Sequence, residues 1–158
     1  MIEIRALKPD EWGLLTQTSE LEREGFHESG LTPDSLALMA RCGILLAFIE
    51  NNQIIGEAIL LRYVQENSAL LFSLVTTSTS RRKGRAQQLL NEAFKHLSSH
   101  GIEKLFLTVS PENEGAISLY TKKLGFKAIQ NLPDHFGPGK HRILMEKIIE
   151  KKQESHSQ

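Results

Sequence analysis

The feature that most constrains the fold is a change of apolar period between residues 69 and 109. Residues 69–76 and 102–109 are short apolar runs typical of strands, whereas the apolar residues between them recur at steps of three and four. That helical face is formed by Ala86, Leu89, Leu90, Ala93, Phe94 and Leu97. A connection of this length allows the two strands to lie parallel, in a right-handed crossover. The sequence therefore predicts a helix packed on a sheet.

The rest of the chain predicts a meander before the crossover and more helix and strand after it. Residues 44–76 are expected to form an antiparallel meander with strands at 44–50, 54–63 and 69–76. Further strands are predicted at residues 2–7, 126–129 and 142–149. Further helices are predicted from Pro9 to about Arg23, from Pro33 with Thr32 as its cap, and from Ser110. The pattern indicates a mixed α/β architecture.

Length and charge limit the classes of function. The 158 residues predict a single domain over residues 1–150, followed by a disordered tail at 151–158. With 19 basic and 19 acidic side chains, the chain has no overall charge to attract nucleic acid or an anionic membrane. The single cysteine, Cys42, excludes an intrachain disulfide and is expected to be a small buried residue. The absence of a leader or an apolar span predicts a cytoplasmic protein.

A basic loop follows the strand at 69–76 and leads into the long helix. A helix N-terminus offers unpaired N–H groups and partial positive charge, and glycine lets an anion approach the backbone. The loop supplies Arg81, Arg82, Lys83, Gly84, Arg85 and Ala86. These residues predict a pyrophosphate site, although basic loop residues are also often no more than solvated. Neither the nucleoside-triphosphate loop nor the dinucleotide fingerprint occurs.

Two motifs in this order resemble those of the GNAT superfamily of N-acetyltransferases. The cofactor motif [RQ]-x-x-G-x-[GA] is filled by residues 81–86, after an apolar strand that ends in "SLV" at 73–75. The second motif, N-x-x-A-x-x-x-Y-x-K-x-G-F, is matched by Asn113, Ala116, Tyr120, Lys122 and Phe126, with Gly125 and so also Phe126 one position late. The chain departs from the pattern in having "TTSTS" for the usual proline-containing turn, and Arg85 where a small apolar residue is common.

The resemblance implies a GNAT-like fold, a mixed α+β architecture with a mostly antiparallel sheet of about six to seven strands flanked by four helices. It implies acetyl-CoA as co-substrate and direct attack by a primary amine in a ternary complex. The amides of residues 82–86 would hold the pyrophosphate, and the backbone of Leu74 and Val75 would pair with pantetheine and hold the thioester oxygen. Asn113 would fix the pantetheine end, unless it is only a helix cap. Tyr120 would protonate the leaving thiolate, unless it is only a core aromatic residue.

The sequence leaves the general base and the acceptor open. The strand "ALLFSLVT" has no glutamate, so the candidate bases are Glu24, His27, Glu28, Glu57, Asp134 and His135. A non-catalytic acyl-CoA-binding regulatory module is the alternative, and an adaptor for another phosphate is a third reading. His96 and His100 lack a partnering carboxylate motif, so no metal site is expected. The acceptor is expected to be a small-molecule or peptide amine, and the resemblance is compatible with a homodimer.

Overall fold

The computed structural model describes residues 1–26, 30–64, 66–81 and 84–151. The predicted tail lies outside the described residues, apart from Lys151. In the described residues, seven strands form a sheet in the order β1-β2-β3-β4-β5-β7-β6. The strands are β1 Ile2–Ala6, β2 Ile44–Glu50, β3 Gln53–Arg62, β4 Ser68–Thr76, β5 Lys104–Val109, β6 Lys127–Leu132 and β7 Arg142–Ile148. The β4–β5 pair is parallel, whereas β1–β2, β2–β3, β5–β7 and β6–β7 are antiparallel. The predicted mixed and mostly antiparallel sheet is confirmed.

Four α-helices accompany the strands in the described part of the chain. They are α1 Trp12–Gly25, α2 Pro33–Cys42, α3 Arg85–Ser99 and α4 Glu114–Ser118, and α4 continues into a π-helical turn at Leu119–Lys123. Thr32 caps α2 as predicted, because its Oγ1 accepts a hydrogen bond from the Ser35 N–H at 3.2 Å. Gly101, just beyond α3, has the left-handed φ of 72° that ends a helix.

The first of two compact units comprises Met1–Arg62 and Leu71–Ala93. Ala47 of β2 lies opposite Glu57 of β3, so their side chains lie on the same side of the sheet. The apolar core that includes Ala47 is formed by Leu7, Leu15, Leu21, Leu36, Leu45, Ala47, Ile49, Ile54, Ile59 and Val75. Because α1 and α2 contribute to this core, they cover that side.

The other side of the same strands faces α3. Phe48 of β2 lies opposite Gly56 of β3. A Cβ at Gly56 would lie 3.0 Å from Leu89 Cδ1, so glycine allows α3 to approach β3 closely. This contact fixes the start of α3 relative to the first unit's strands.

The second unit comprises Tyr63–Leu70 and the described residues from Phe94 onward. Within it, β4 pairs in parallel with β5, from Ser68 opposite Lys104 to Leu70 opposite Phe106. Leu107 of β5 lies opposite Met145 of β7, and both are fully buried.

Two sequence predictions need correction. The fourth helix begins at Glu114 rather than Ser110, because residues 110–113 form a turn in which the Asn113 N–H bonds to the Ser110 carbonyl at 3.0 Å. Cys42 is exposed rather than buried. It is the last residue of α2, and the six residues that separate it from the buried Leu36 turn it away from the helix's core face.

Candidate active site

The end of β4 supplies two of the predicted cofactor-binding residues. Val75 is 7% exposed and belongs to the core, whereas Leu74 is half-buried. A Cβ at Gly25 would collide with the Val75 side chain, so the last turn of α1 packs directly on β4. The position of this strand end is therefore fixed by α1.

A hydrogen-bonded turn connects β4 to the basic loop. The Thr77 N–H bonds to the Ile55 carbonyl at 2.8 Å, and the Ser80 N–H bonds to the Thr77 carbonyl at 2.9 Å. The Thr77 hydroxyl donates to Ser80 Oγ at 2.9 Å. The "TTSTS" segment thus forms a hydrogen-bonded turn that includes a short 3₁₀ helix at Ser78–Ser80.

The basic loop is only partly described. Arg81 is exposed, and Arg82 and Lys83 lie outside the described residues. Gly84 is exposed, has a φ of +73°, and no heavy atom lies within 4 Å of a Cβ placed on it. Its carbonyl accepts from the Gln88 N–H at 3.0 Å. Glycine is needed here for its backbone angle, and it leaves the space beside that backbone open.

The Arg85 side chain packs against other residues of the first unit rather than extending into solvent as a loop cation. Its guanidinium lies 5.1 Å from the centre of the Phe48 ring, and its Nη1 donates to Gln88 Oε1 at 3.3 Å. The buried Nε has no hydrogen-bond partner among the described residues. The Arg85 side chain therefore packs on β2, and the half-buried Ala86 follows it as a small residue in the first turn of α3.

Asn113 caps α4. Its Oδ1 accepts a hydrogen bond from the Ala116 N–H at 3.1 Å, which satisfies one of the helix's unpaired donors. The helix-cap reading of Asn113 is therefore confirmed, and its contact with a cofactor stays a prediction.

Tyr120 lies in the π-helical turn that follows α4, a kind of distortion that is frequent at functional sites. Its ring packs edge-on against Phe126 at 5.5 Å, and Phe126 in turn contacts Phe94 at 6.3 Å. The Phe126 N–H bonds to the Tyr120 carbonyl at 2.9 Å, and Gly125 between them has a φ of +76°. Burial raises the pKa of Tyr120 to about 12. The phenol therefore keeps its proton at neutral pH.

One candidate base, Glu57, belongs to a polar cluster that the sequence analysis missed. Glu57 is fully buried. Glu22 of α1 and Ser73 of β4 are also buried, with 2% and 8% of their surface exposed. The Ser73 hydroxyl lies 2.5 Å from Glu22 Oε1 and 3.1 Å from Glu57 Oε1. Burial, and then the hydrogen bond and negative charge of Glu22, raise the pKa of Glu57 well above its usual value, and the Ser73 hydrogen bond opposes this.

A weak sequence signal for this cluster existed. Glu22 lies seven residues after the buried Leu15, so it falls on the core face of α1. Glu57 lies two residues from each of the apolar Ile55 and Ile59, in the same period-two series of the strand. A charged residue at a core position of the pattern was the clue.

The remaining candidate bases are not in this cluster. Glu24 is exposed on α1, and His27 and Glu28 lie outside the described residues. Asp134 accepts from the Gly139 N–H at 2.8 Å within the β6–β7 loop. The His135 ring packs on Phe136 at 4.5 Å. Each of these two therefore has a local structural partner in its loop.

The second unit contains a cavity of about 380 Å³, and none of the predicted site residues is among its lining residues. It is lined by Tyr63, Val64, Glu66, Phe106 and Leu144. The described residues include no cluster of three or more His, Cys, Asp or Glu side chains arranged to hold a metal ion. Within the same described ranges, no helix is long and apolar enough to cross a membrane.

Comparison with known families gives one match. The sequence profile of the acetyltransferase (GNAT) family matches residues 5–126, which include β4, the basic loop, α3 and the Asn113–Phe126 segment. A search of curated proteins found no match.

Solved structures of similar fold cover almost the whole chain. The ribosomal-protein-S18-alanine N-acetyltransferase from Escherichia coli superposes with a TM-score of 0.79 and 22% identity, over 98% of each chain. The aminoglycoside 6'-acetyltransferase type Ii superposes with a TM-score of 0.81 and 25% identity, over 95% of this chain and 99% of the other. An aminoglycoside 6'-N-acetyltransferase complexed with coenzyme A gives a TM-score of 0.80 and 20% identity, over 95% and 98% of the two chains.

Proposed function

Since the chain belongs to the GNAT family of acetyltransferases, we propose that it moves an acetyl group from acetyl-CoA to a primary amine in a ternary complex. The observation that carries the proposal is the family match over a segment that contains both predicted motifs. The open backbone at Gly84, directly before α3, adds a physical reason to expect a bound diphosphate.

The donor would be held mainly by backbone groups. The amides of residues 82–86 bind the pyrophosphate, and Arg81, Arg82 and Lys83 add positive charge around it. The Arg85 amide takes part, but its guanidinium stabilises α3 by packing on Phe48. The backbone of Leu74 and Val75 pairs with pantetheine, and one of their N–H groups holds the thioester oxygen as it becomes negative. The Asn113 amide, whose oxygen already caps α4, contributes its NH₂ group to the pantetheine end.

Tyr120 would act on the leaving group. The amine nitrogen attacks the thioester carbon, the C–S bond breaks, and the departing thiolate takes a proton from the Tyr120 hydroxyl. A phenol with a pKa of about 12 is a weaker acid than the free phenol, whose pKa is near ~10. The Tyr120 hydroxyl is therefore expected to form a hydrogen bond to the sulfur before it transfers its proton. The hydroxyl carries that proton throughout the neutral pH range.

The acceptor would be a primary amine on a small molecule or a peptide. The two kinds of similar enzyme named above act, by their own descriptions, on an alanine of a ribosomal protein and on aminoglycosides. Residues 1–150 would work as one catalytic domain in the cytoplasm, without nucleic acid, membrane or metal, either alone or as a homodimer.

The test is release of coenzyme A thiol from acetyl-CoA with a panel of amines. The panel contains an alanine-initiated tetrapeptide, kanamycin, spermidine and free lysine, and each product is checked by mass for an added acetyl group. The proposal predicts steady, amine-dependent turnover with at least one of them. Thermal stabilisation by coenzyme A without turnover would instead support the non-catalytic acyl-CoA-binding module. Absence of any response to coenzyme A would contradict both.

A further inference from the structure

A carboxyl pair is buried immediately beside the β4 residues to which we assign the thioester. Ser73 directly precedes Leu74 in β4, and its hydroxyl lies within hydrogen-bond distance of Glu22 from α1 and Glu57 from β3. All of these side chains belong to the first unit. The cluster therefore joins two acidic groups to the strand end that would bind the acyl donor.

The packing of the first unit gives no reason for carboxyl groups at these positions. Ala47 faces Glu57, and the core on that side is apolar. Glu57 Oε2 has no hydrogen-bond partner among the described residues. Apolar side chains of similar size usually fill such a position at no cost to stability. Buried acids beside a binding strand are instead typical of functional sites.

The geometry gives the Ser73 hydroxyl two acceptors. Its Oγ lies 2.5 Å from Glu22 Oε1 and 3.1 Å from Glu57 Oε1, so its single proton can turn from one carboxyl oxygen to the other. Glu57 is the carboxyl whose pKa is raised, so an ionised Glu57 takes up a proton more readily than an exposed glutamate does. Among the described residues, the groups that act on Glu57 are Glu22 from α1 and Ser73 from β4, and Ala47, opposite it on β2, does not titrate.

We propose that Ser73, with the Glu22–Glu57 pair behind it, is the proton-accepting site for the acceptor amine. This inference rests on the proposed acetyl transfer. When Glu57 is ionised, an ammonium proton passes to Ser73 Oγ while the Ser73 proton passes to the Glu57 carboxylate. Ser73 contacts the amine, and Glu57 and Glu22 act through it as positioning residues that hold the proton.

The rest of the reaction then balances. The neutral amine forms the C–N bond as the C–S bond breaks, and Tyr120 gives its proton to the sulfur. The surplus proton on the new amide nitrogen restores the Tyr120 hydroxyl. After the product leaves, Glu57 returns its proton to solvent through Ser73.

The test is the pH dependence of Glu57→Gln, measured with the panel amine that gives the highest turnover. Gln is close to the protonated glutamate in shape, so the fold is expected to survive. The ratio of wild-type to variant kcat/KM is expected to be about 100 at roughly one pH unit below the pKa of the acceptor amine, where the amine is mostly charged and must lose a proton. The ratio is expected to shrink toward about three as the pH rises past that pKa, where the amine arrives neutral. A purely structural role would lower the rate by the same factor at every pH.

Ser73→Ala provides the second variant, and it is expected to show the same pH-dependent loss because it removes the relay atom. Glu50→Gln, at the end of β2, is the matched control, with an expected ratio near one at every pH. Ratios independent of pH for both Glu57→Gln and Ser73→Ala would overturn the inference while leaving the acetyl transfer standing. Wild-type protein without turnover on the whole panel would overturn both.

Discussion

Tyr120, which is half-buried, and Glu57, which is fully buried, are two acids whose pKa values are raised for different reasons. For Tyr120 the cause is burial beside aromatic rings, and the pKa rises to about 12. For Glu57 burial is joined by the negative charge of Glu22, and the Ser73 hydroxyl opposes the rise. Burial alone raises the pKa of the phenol, whereas burial together with a charged neighbour raises the pKa of the carboxyl.

The comparison assigns opposite roles to the two groups. A group that keeps its proton at all physiological pH values can only donate it, whereas an ionised carboxyl with a raised pKa can accept one. Tyr120 would thus be the proton donor and Glu57 the proton acceptor.

The largest effect is expected for Tyr120→Phe. The change removes the hydroxyl that protonates sulfur but keeps the ring against Phe126, so kcat should fall by about 10²–10⁴-fold. Thiol release at saturating substrates measures it. The control is Tyr63→Phe, which alters the chain's other tyrosine and should leave kcat within a factor of two. A Tyr120→Phe enzyme with more than half of the wild-type kcat would remove Tyr120 from the mechanism.

The raised pKa of Glu57 predicts that the free energy of unfolding depends on pH. Folding raises the pKa of Glu57 above the unfolded value, so the folded state binds the extra proton. The stabilisation that protonation of Glu57 contributes is complete below the unfolded pKa of ~4.3 and is lost as the pH rises through the folded pKa. Over that range the free energy of unfolding falls by up to about 1.4 kcal/mol per pH unit. Urea unfolding of wild type should show this decline, and Glu57→Gln should lack it. Parallel curves for the two proteins would contradict a raised pKa at Glu57.

A smaller effect separates the cap from the cofactor contact at Asn113. Asn113→Ala removes the hydrogen bond to the Ala116 N–H and should lower the free energy of unfolding by about 1 kcal/mol. Asn113→Asp retains the cap and should change stability by less than about 0.5 kcal/mol. If the amide NH₂ also binds pantetheine, both variants will raise the KM for acetyl-CoA. An unchanged KM in Asn113→Asp would show that the residue is only a cap.

Where the apolar period was uninterrupted, the sequence predicted the structure well. The steps of three and four between Ala86 and Leu97 gave α3, and Thr32 with Pro33 gave the start of α2. Two competing cap signals, Ser110 with Pro111 and Asn113 three residues later, caused the wrong start of α4. Asn113 prevailed because its side chain reaches the Ala116 N–H.

The site was harder to predict, because contacts between distant segments decide it. Glu22 was not among the candidate bases, and only the packing of α1 on β4 brings it to Ser73. Arg85 was read as a loop cation, and only the β2–β3 pairing that presents Phe48 shows where its side chain packs. The apolar period of a segment predicts which of its faces is buried, but not which side chains from other segments pack against that face.

The central claim is that the open backbone at position 84 holds the diphosphate of coenzyme A, and two glycines of the same kind test it directly. Gly84 and Gly101 have φ values of +73° and +72°, and neither has a heavy atom within 4 Å of an added Cβ. Alanine should therefore strain both backbones equally, by about 1 kcal/mol. Calorimetry is predicted to show a coenzyme A affinity at least about tenfold weaker, or about 1.4 kcal/mol, for Gly84→Ala and unchanged for Gly101→Ala. Equal affinities in the two variants would contradict the account.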